Sequence, residues 1–316
     1  MRPRAEWALA ALLLAVAAPV VAPAPAAATS LFAQSRYAAL LLDASTGEVL
    51  YARQPDAERF PASITKVMTL YLVFERLAAG QLRLDDPVIM SARAAAQRPS
   101  KLGLRPGETL TVDQAIRALA TKSANDVAVA LAEHVSGSEP AFARLMTHRA
   151  EALGMARSRF VNASGLPDGR QVTTARDIAT LSLALIRDFP QYYGYFQQQQ
   201  FVFQGRVMPN HNHLLRTLPG VDGIKTGFTN AAGFTLAASA VRDGRRLVAV
   251  VLGSPTRPGR DANVEALLAS GFRVLAARSE GQRIQVADLL LEPADLNDSL
   301  LASLVEQGSG DPSPRR

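Results

Sequence analysis

Between Ser63 and Leu77 the sequence reads SITKVMTLYLVFERL, with Val67, Met68, Leu70, Tyr71, Leu72, Val73, Phe74 and Leu77 apolar. Wound as a helix, this stretch is apolar on nearly every face. Such a helix cannot lie on a surface and has to be central, enclosed by other elements. Pro61 just before it and Gly80 just after it mark its ends. A chain of 316 residues, 48% hydrophobic and 20% charged, has the material to enclose it in one or two domains. Ser63 and Lys66 stand at the start of this helix, three residues apart and so on one face.

The flanking segments supply the layers. Tyr37 to Asp43 reads as a buried strand, Ala44 to Gly47 as a turn and Glu48 to Arg53 as the return strand. Phe234 to Val241 and Arg246 to Gly253 form a second pair joined at Arg242-Asp243-Gly244, where Asp-Gly between two apolar runs is a hairpin signal. Between them come Pro87 to Met90, extended, and Ser91 to Gly107, a polar, Arg-rich loop. Helices follow at Val112 to Ala120 and Ala124 to Val135, interrupted at Thr121-Lys122-Ser123, then at Pro140 to Leu153. Asn162 to Thr174 is a turn-rich loop, followed by a helix over Thr173 to Arg187 with a threonine cap and an early Asp177. Phe201 to Val207 reads as one strand, Asp261 to Leu275 as a helix and Gln282 to Val286 as a short strand. Strands at both ends with helices between predict an α/β (α+β) domain over 35–278. Its antiparallel sheet would be flanked by helices on both faces, with a helical subdomain.

The termini read differently. Arg2 and Arg4, the apolar run Leu9 to Val21 and the small residues Ala26 to Ala28 give a secretory signal peptide over 1–28. The net charge of +6 falls to about +5 without that segment, which carries Arg2, Arg4 and Glu6. The remaining positive charge is scattered, so no basic stripe for nucleic acid is present. Cysteine is absent, which removes disulfides, thiolate metal sites and a cysteine nucleophile. Residues 279–316 are expected to be a short C-terminal extension with a disordered GSGDPSPRR end. The amphipathic stretch Leu296, Leu300, Leu301 and Leu304 carries no basic residue, so packing on the domain is expected before a membrane-surface role. A weak membrane association stays open.

The chemistry rests on three clusters. A serine hydroxyl needs a base to take its proton. Lys66 can be that base if burial or a second cation keeps its amine neutral. Ser123-Ala124-Asn125 falls at the break between two helices, where side chains can point into a cleft, and Lys225-Thr226-Gly227 opens a strand hairpin. S-x-x-K, S-x-N and K-T-G in that order match the signature of serine acyl transfer. Singly, each has a plain structural reading: Ser123 and Asn125 as helix caps, Lys225 as a solvated strand-end charge.

With these motifs the chain resembles the D-alanyl-D-alanine carboxypeptidases, low-molecular-mass penicillin-binding proteins of serine peptidase family S11. The resemblance runs over about 36–274 through LLDASTGEVLYAR, PASITKVMTLYL, LGLRPGETLTVDQAI, KSANDVAVALAEHVSGS, RFVNASGLPDGRQVTTARDIA and VDGIKTGFTNAAGFTLAASA. It implies the penicillin-binding-protein and β-lactamase-like transpeptidase fold. It also implies removal of the terminal D-alanine of peptidoglycan stem pentapeptides in the periplasm, without cofactor, and inhibition by β-lactams.

By the same resemblance Ser63 is the nucleophile, Lys66 its base and Ser123 the proton relay to the leaving D-alanine. Asn125 holds the substrate amide, and Lys225 and Thr226 hold the terminal carboxylate. Gly227 lets the substrate backbone approach, Phe228 and Ser63 give the oxyanion-hole N–H groups, and Arg260 stands near the carboxylate pocket. The chain departs from the family in two places: His211 stands near a usual arginine, and Phe228 where histidine is common. About forty residues follow Leu275, so the β-rich second domain of better-known members is expected to be absent or vestigial.

Other readings are a D,D-endopeptidase of the same family and a non-catalytic wall-binding homologue on the same fold. A class A β-lactamase would need a glutamate four residues before an asparagine, and the chain has none. His211 and His213 lack a third ligand at metal-site spacing, so no metal is expected.

Overall fold

The computed structural model describes residues 36–290. The segment 1–28 expected to be a signal peptide, the amphipathic stretch expected at Leu296 to Leu304 and the GSGDPSPRR end fall outside the described residues.

In chain order the elements are β1 (Ala38–Asp43), β2 (Val49–Arg53), α1 (Thr65–Ala78), β3 (Pro87–Ile89), α2 (Ala92–Ala95), β4 (Thr109–Thr111), α3 (Val112–Arg117), α4 (Asn125–Ser136), α5 (Glu139–Ala152) and α6 (Ala175–Asp188). They continue with β5 (Gln200–Phe203), β6 (Arg206–Pro209), α7 (Leu214–Thr217), β7 (Val221–Thr229), β8 (Gly233–Arg242), β9 (Arg245–Ser254), α8 (Arg257–Ser279) and α9 (Val286–Leu289).

Five strands form one antiparallel sheet in the order β2-β1-β9-β8-β7. β1 is buried on both faces, as its unbroken apolar run required. Leu40 and Leu42 face the core around α1, while Ala39 and Leu41 face α8 with Val264, Leu267 and Leu268. Gly271 of α8 has Leu41 and Leu247 methyls 2.7 Å from where a Cβ would sit, so the helix lies hard against the sheet. On the other face α6 packs on β1 and β9, and α1, α4 and α5 build the helical lobe.

α1 is the enclosed helix that its sequence demanded. From Thr65 to Phe74 every residue is buried. Phe74 sits among Phe189, Tyr192, Tyr195 and Phe196, ring centroids 5.0–6.2 Å apart. Burying such rings is worth roughly 2–3 kcal/mol each.

Several local expectations are corrected. The segment 91–107 is not wholly loop, because Ser91 accepts the Ala94 N–H at 2.9 Å and caps the single turn of α2. Phe201 to Val207 is not one strand but the hairpin β5–β6, turning at Gln204-Gly205, both at positive φ. Gln282 to Gln285 has no regular structure and Val286 opens a helical turn, α9, instead of closing a strand. The Thr174 hydroxyl, not Thr173, caps α6, and α8 starts at Arg257 behind the Thr256 cap. The short β4 was hidden because three residues carry no periodicity. β7 was blurred by Gly223 and Gly227 within it.

Candidate active site

Ser63 lies in a 3-10 turn, Ala62–Ile64, that feeds directly into α1. Ala62 is at φ +48°, a conformation that L-residues adopt at a cost of about 1–3 kcal/mol. Two glycines hold the turn in place. A Cβ on Gly165 would fall 1.9 Å from the Ala62 carbonyl oxygen, and one on Gly227 would fall 2.8 Å from the Ser63 nitrogen. The Ser63 backbone is therefore closely approached by both the loop at 165 and strand β7.

Lys66 is 0% exposed. Its Nζ lies 3.1 Å from Ser63 Oγ and 2.7 Å from Asn125 Oδ1, and it also donates to the Ser164 carbonyl. Burial pushes its pKa well down, the nearby Lys225 adds to this, and Asp126 opposes it. Asp126 spends its own oxygens on the Leu102 and Gly103 N–H groups at 2.9 and 2.8 Å, tying the 98–104 loop to α4. Asn125 is fixed at both ends, since its Nδ2 donates to the Arg98 carbonyl at 2.9 Å.

The break between helices that the sequence showed is a π-turn, Ala118–Lys122, ended by Ser123 in the left-handed region at φ +61°. This turn points the Ser123 hydroxyl away from both helices. It is buried without a hydrogen-bond partner and lines the cleft.

β7 is an edge strand, and Thr226, Gly227 and Phe228 line the cleft from it. Lys225 is 1% exposed and lies behind the strand, its Nζ donating to the Thr226 carbonyl at 3.0 Å. Burial, with Arg260 beside it, brings its pKa down to about 7. Arg260 is buried against Asp261 and reaches the Thr235 carbonyl at 3.5 Å. Phe228 is half exposed and stacks on Phe234 at 4.3 Å.

These residues surround a cleft of about 440 Å³. Ser63, Ser123, Asn125, Thr226, Gly227, Phe228 and Arg260 all line it, while Lys66 and Lys225 sit behind its walls. His211 lines it too, held in position by its buried neighbours Asn210 and Asn212. Asn212 Nδ2 donates to the Gly223 carbonyl at 3.1 Å. Desolvation, then Lys225, Lys122 and Arg257, lowers the His211 pKa to about 4, so the ring is neutral at pH 7.

The cleft contains three arginines, Arg98, Arg257 and Arg260, and no acidic residue. Sequence reasoning did not single out Arg98, Arg257 or the Ser164 carbonyl. The last acts through its backbone, for which no residue type is a signal. The other two belong to an Arg-rich background.

An antiparallel sheet backed by α8, a helical lobe on its other face and a serine–lysine pair between them define the penicillin-binding-protein fold. The profile of peptidase family S11, described as D-alanyl-D-alanine carboxypeptidase, matches residues 24–256, and the chain belongs to that family. It is 39% identical over 241 residues to the D-alanyl-D-alanine carboxypeptidase DacA of Escherichia coli, covering 74% of this chain and 60% of the relative. To DacF of Bacillus subtilis it is 35% identical, over 77% of this chain and 64% of the relative. The chain thus spans about three fifths of the length of these curated relatives. Among solved structures, penicillin binding protein 5 from Haemophilus influenzae superposes with a TM-score of 0.72 at 36% identity, covering 75% of this chain and 70% of that one. Penicillin-binding protein D2 from Listeria monocytogenes, solved with cefotaxime bound, gives 0.68 at 32% identity over 74% and 96% of the two chains.

Proposed function

We propose that the protein is a serine D,D-carboxypeptidase that removes the terminal D-alanine from peptidoglycan stem pentapeptides through an acyl-enzyme on Ser63. The observation that carries this reading is the hydrogen bonding of Lys66. Its amine sits in a dry site and faces three oxygens: Ser63 Oγ, Asn125 Oδ1 and the Ser164 carbonyl. A neutral amine has two N–H bonds and one lone pair. The two carbonyl oxygens accept the N–H bonds, and the lone pair is left to accept the Ser63 proton. The base is thus oriented, and burial with Lys225 nearby favours its neutral form.

The remaining steps follow from the walls. Ser63 Oγ attacks the carbonyl between the two D-alanines, and its proton passes to Lys66. The N–H groups of Ser63 and Phe228 stabilise the oxyanion, with Gly227 letting β7 approach the Ser63 nitrogen. Ser123, whose hydroxyl has no competing partner, passes its proton to the leaving amine and takes back from Lys66 the proton that Ser63 gave up. Thr226 and Arg260 hold the terminal carboxylate, and Lys225 behind them keeps the field positive. Asn125 holds the substrate amide, and water then hydrolyses the ester. A β-lactam would acylate Ser63 by the same route and leave slowly, because its amine remains tethered. Export by residues 1–28 to the periplasm belongs to the same proposal.

Mass spectrometry of a D-Ala-D-Ala muropeptide and a crosslinked dimer tests it. Loss of one alanine from the first, abolished in Ser63→Ala, is the expected result. Cleavage of the dimer alone would assign a D,D-endopeptidase instead. No product from either, with no labelled penicillin on Ser63, would refute catalysis.

A further inference from the structure

A second space of about 710 Å³ lies between α5 and the 159–170 loop, and none of the steps above uses it. Pro140, Ala143, Arg144, Thr147, His148 and Glu151 line it from α5. Their spacing of three and four makes one stripe of the helix, about 17 Å long at about 1.5 Å per residue. The space is therefore a groove with room for an extended ligand. Leu166 and Pro167 line both this groove and the catalytic cleft, and so form the ridge between them. The ridge is braced. Asn162 Oδ1 accepts the Gly165 N–H at 2.7 Å, its Nδ2 donates to the Leu166 carbonyl at 3.0 Å, and the buried Glu139 accepts the Ala163 N–H at 3.2 Å.

The walls narrow the kind of ligand. Pockets for small ligands are mostly lined by apolar and aromatic side chains. This groove instead carries four arginines and three carboxylates. Arg93 pairs with Glu139 at 2.8 Å, and Arg170 with Asp168 at 2.7 Å. Arg144, Arg159 and Glu151 are exposed and make no side-chain hydrogen bond or ion pair among the described residues. A polyanion would meet the carboxylates and a polycation the arginines. An uncharged chain of hydroxyls and acetamides suits both, because guanidiniums donate to its oxygens and carboxylates accept from its hydroxyls.

The position narrows it further. β7 is an edge strand, and a peptide laid antiparallel along it with its carboxylate at Thr226 and Arg260 runs toward Thr229. Thr229 shares that end of the cleft with Leu166 and Pro167. The arm of the peptide remote from the scissile bond therefore leaves the cleft at the ridge, beside the groove.

We propose that the groove seats an uncharged acetamido-sugar chain, the glycan to which the peptide in the cleft is attached. Arg144 and Arg159 donate to its hydroxyl and acetamide oxygens, and Glu151 accepts from its hydroxyls. The inference rests on the carboxypeptidase reading and adds a sugar arm to its substrate.

The test compares D-alanine release from an N-lactyl pentapeptide and from the same peptide on its N-acetylglucosaminyl-N-acetylmuramyl disaccharide. The proteins are the wild type and Arg144→Ala/Arg159→Ala, which removes two exposed, unpaired side chains. In the wild type the disaccharide should raise kcat/KM about tenfold or more, mainly through KM. In the variant that advantage should shrink to about threefold or less, with the N-lactyl peptide unchanged. A calorimetric titration with the peptide-free N-acetylglucosamine tetramer reads the groove without catalysis: it should bind the wild type and bind the variant at least about fivefold more weakly. Equal turnover with and without the disaccharide, or an advantage that survives in the variant, would overturn the groove assignment. A glycerol-phosphate oligomer that binds the wild type in place of the tetramer would overturn it in favour of an anionic polymer. Failure to cleave either substrate, with the tetramer still bound through Arg144 and Arg159, would overturn the carboxypeptidase reading and leave the sugar site standing.

Discussion

Replacing Gly227 by alanine should disable acylation while leaving the fold in place. A Cβ there would meet Thr235 Oγ1 at 2.6 Å, the Ser63 nitrogen at 2.8 Å and Ala62 Cβ at 3.0 Å. Thr235 can rotate its hydroxyl. The Ser63 nitrogen is backbone and would have to retreat by roughly half an ångström to reach ordinary contact. It has little room to do so, because Gly165 also lies close against the Ala62 carbonyl and the Ser63 nitrogen. The displaced N–H is one of the two proposed oxyanion donors, and losing one such donor costs about 10²–10³ in rate, or roughly 3–4 kcal/mol. Overpacking costs about 1–3 kcal/mol of stability, partly offset by the lower chain entropy of alanine. The melting temperature should therefore fall by only a few degrees. Labelled-penicillin acylation followed in time, beside a thermal melt, measures both. Acylation within about threefold of wild type would refute the argument that the turn is clamped.

Three further outcomes follow from charge and burial. Acylation should fall as pH is lowered, because protonating Lys66 removes the lone pair that faces Ser63, and a pH–rate profile of penicillin acylation reads this directly. Lys225 has a pKa of about 7 when folded and an ordinary lysine value when unfolded. The unfolded state therefore binds more protons in that interval, and stability should rise with pH through it. Relative to Lys225→Met, the wild type should gain on the order of 3 kcal/mol between pH 7 and 9.5, measured by urea unfolding. Arg93→Met should cost about 1–3 kcal/mol, since it leaves the buried Glu139 carboxylate without the partner now 2.8 Å away; an unchanged urea midpoint would contradict that reading.

Much of this was legible in the sequence, for identifiable reasons. α1 was readable because apolarity on all faces has one structural meaning, and the β8–β9 hairpin because Asp243-Gly244 occupies positive φ at both positions. The motif residues came together in one cleft, with Lys66 and Lys225 just behind it. The order of the sheet was partly visible, since the end strands had only each other to pair with. What was hidden depends on contacts distant in sequence. The glycines of β7 look like strand breakers until the turn at Ser63 and the Tyr193 ring are seen pressed against them. The Ser164 carbonyl that completes the Lys66 site is backbone, and the π-turn that aims Ser123 has no residue signature.

The position of β1 bears on how the chain is made. Its strand is the second in the sheet, and Ala38 pairs with Leu252. Among the described residues, the first strand to leave the ribosome thus waits for the last before it has a neighbour on its inner side. Until then its only strand partner is the short β2, a hairpin that is marginal alone in water. Sheet closure is consequently a late event dominated by contacts remote in sequence, and the domain should fold slowly and after synthesis rather than during it. The proposed export across a membrane would gain from that delay: the chain stays threadable until nearly all of the domain has been made.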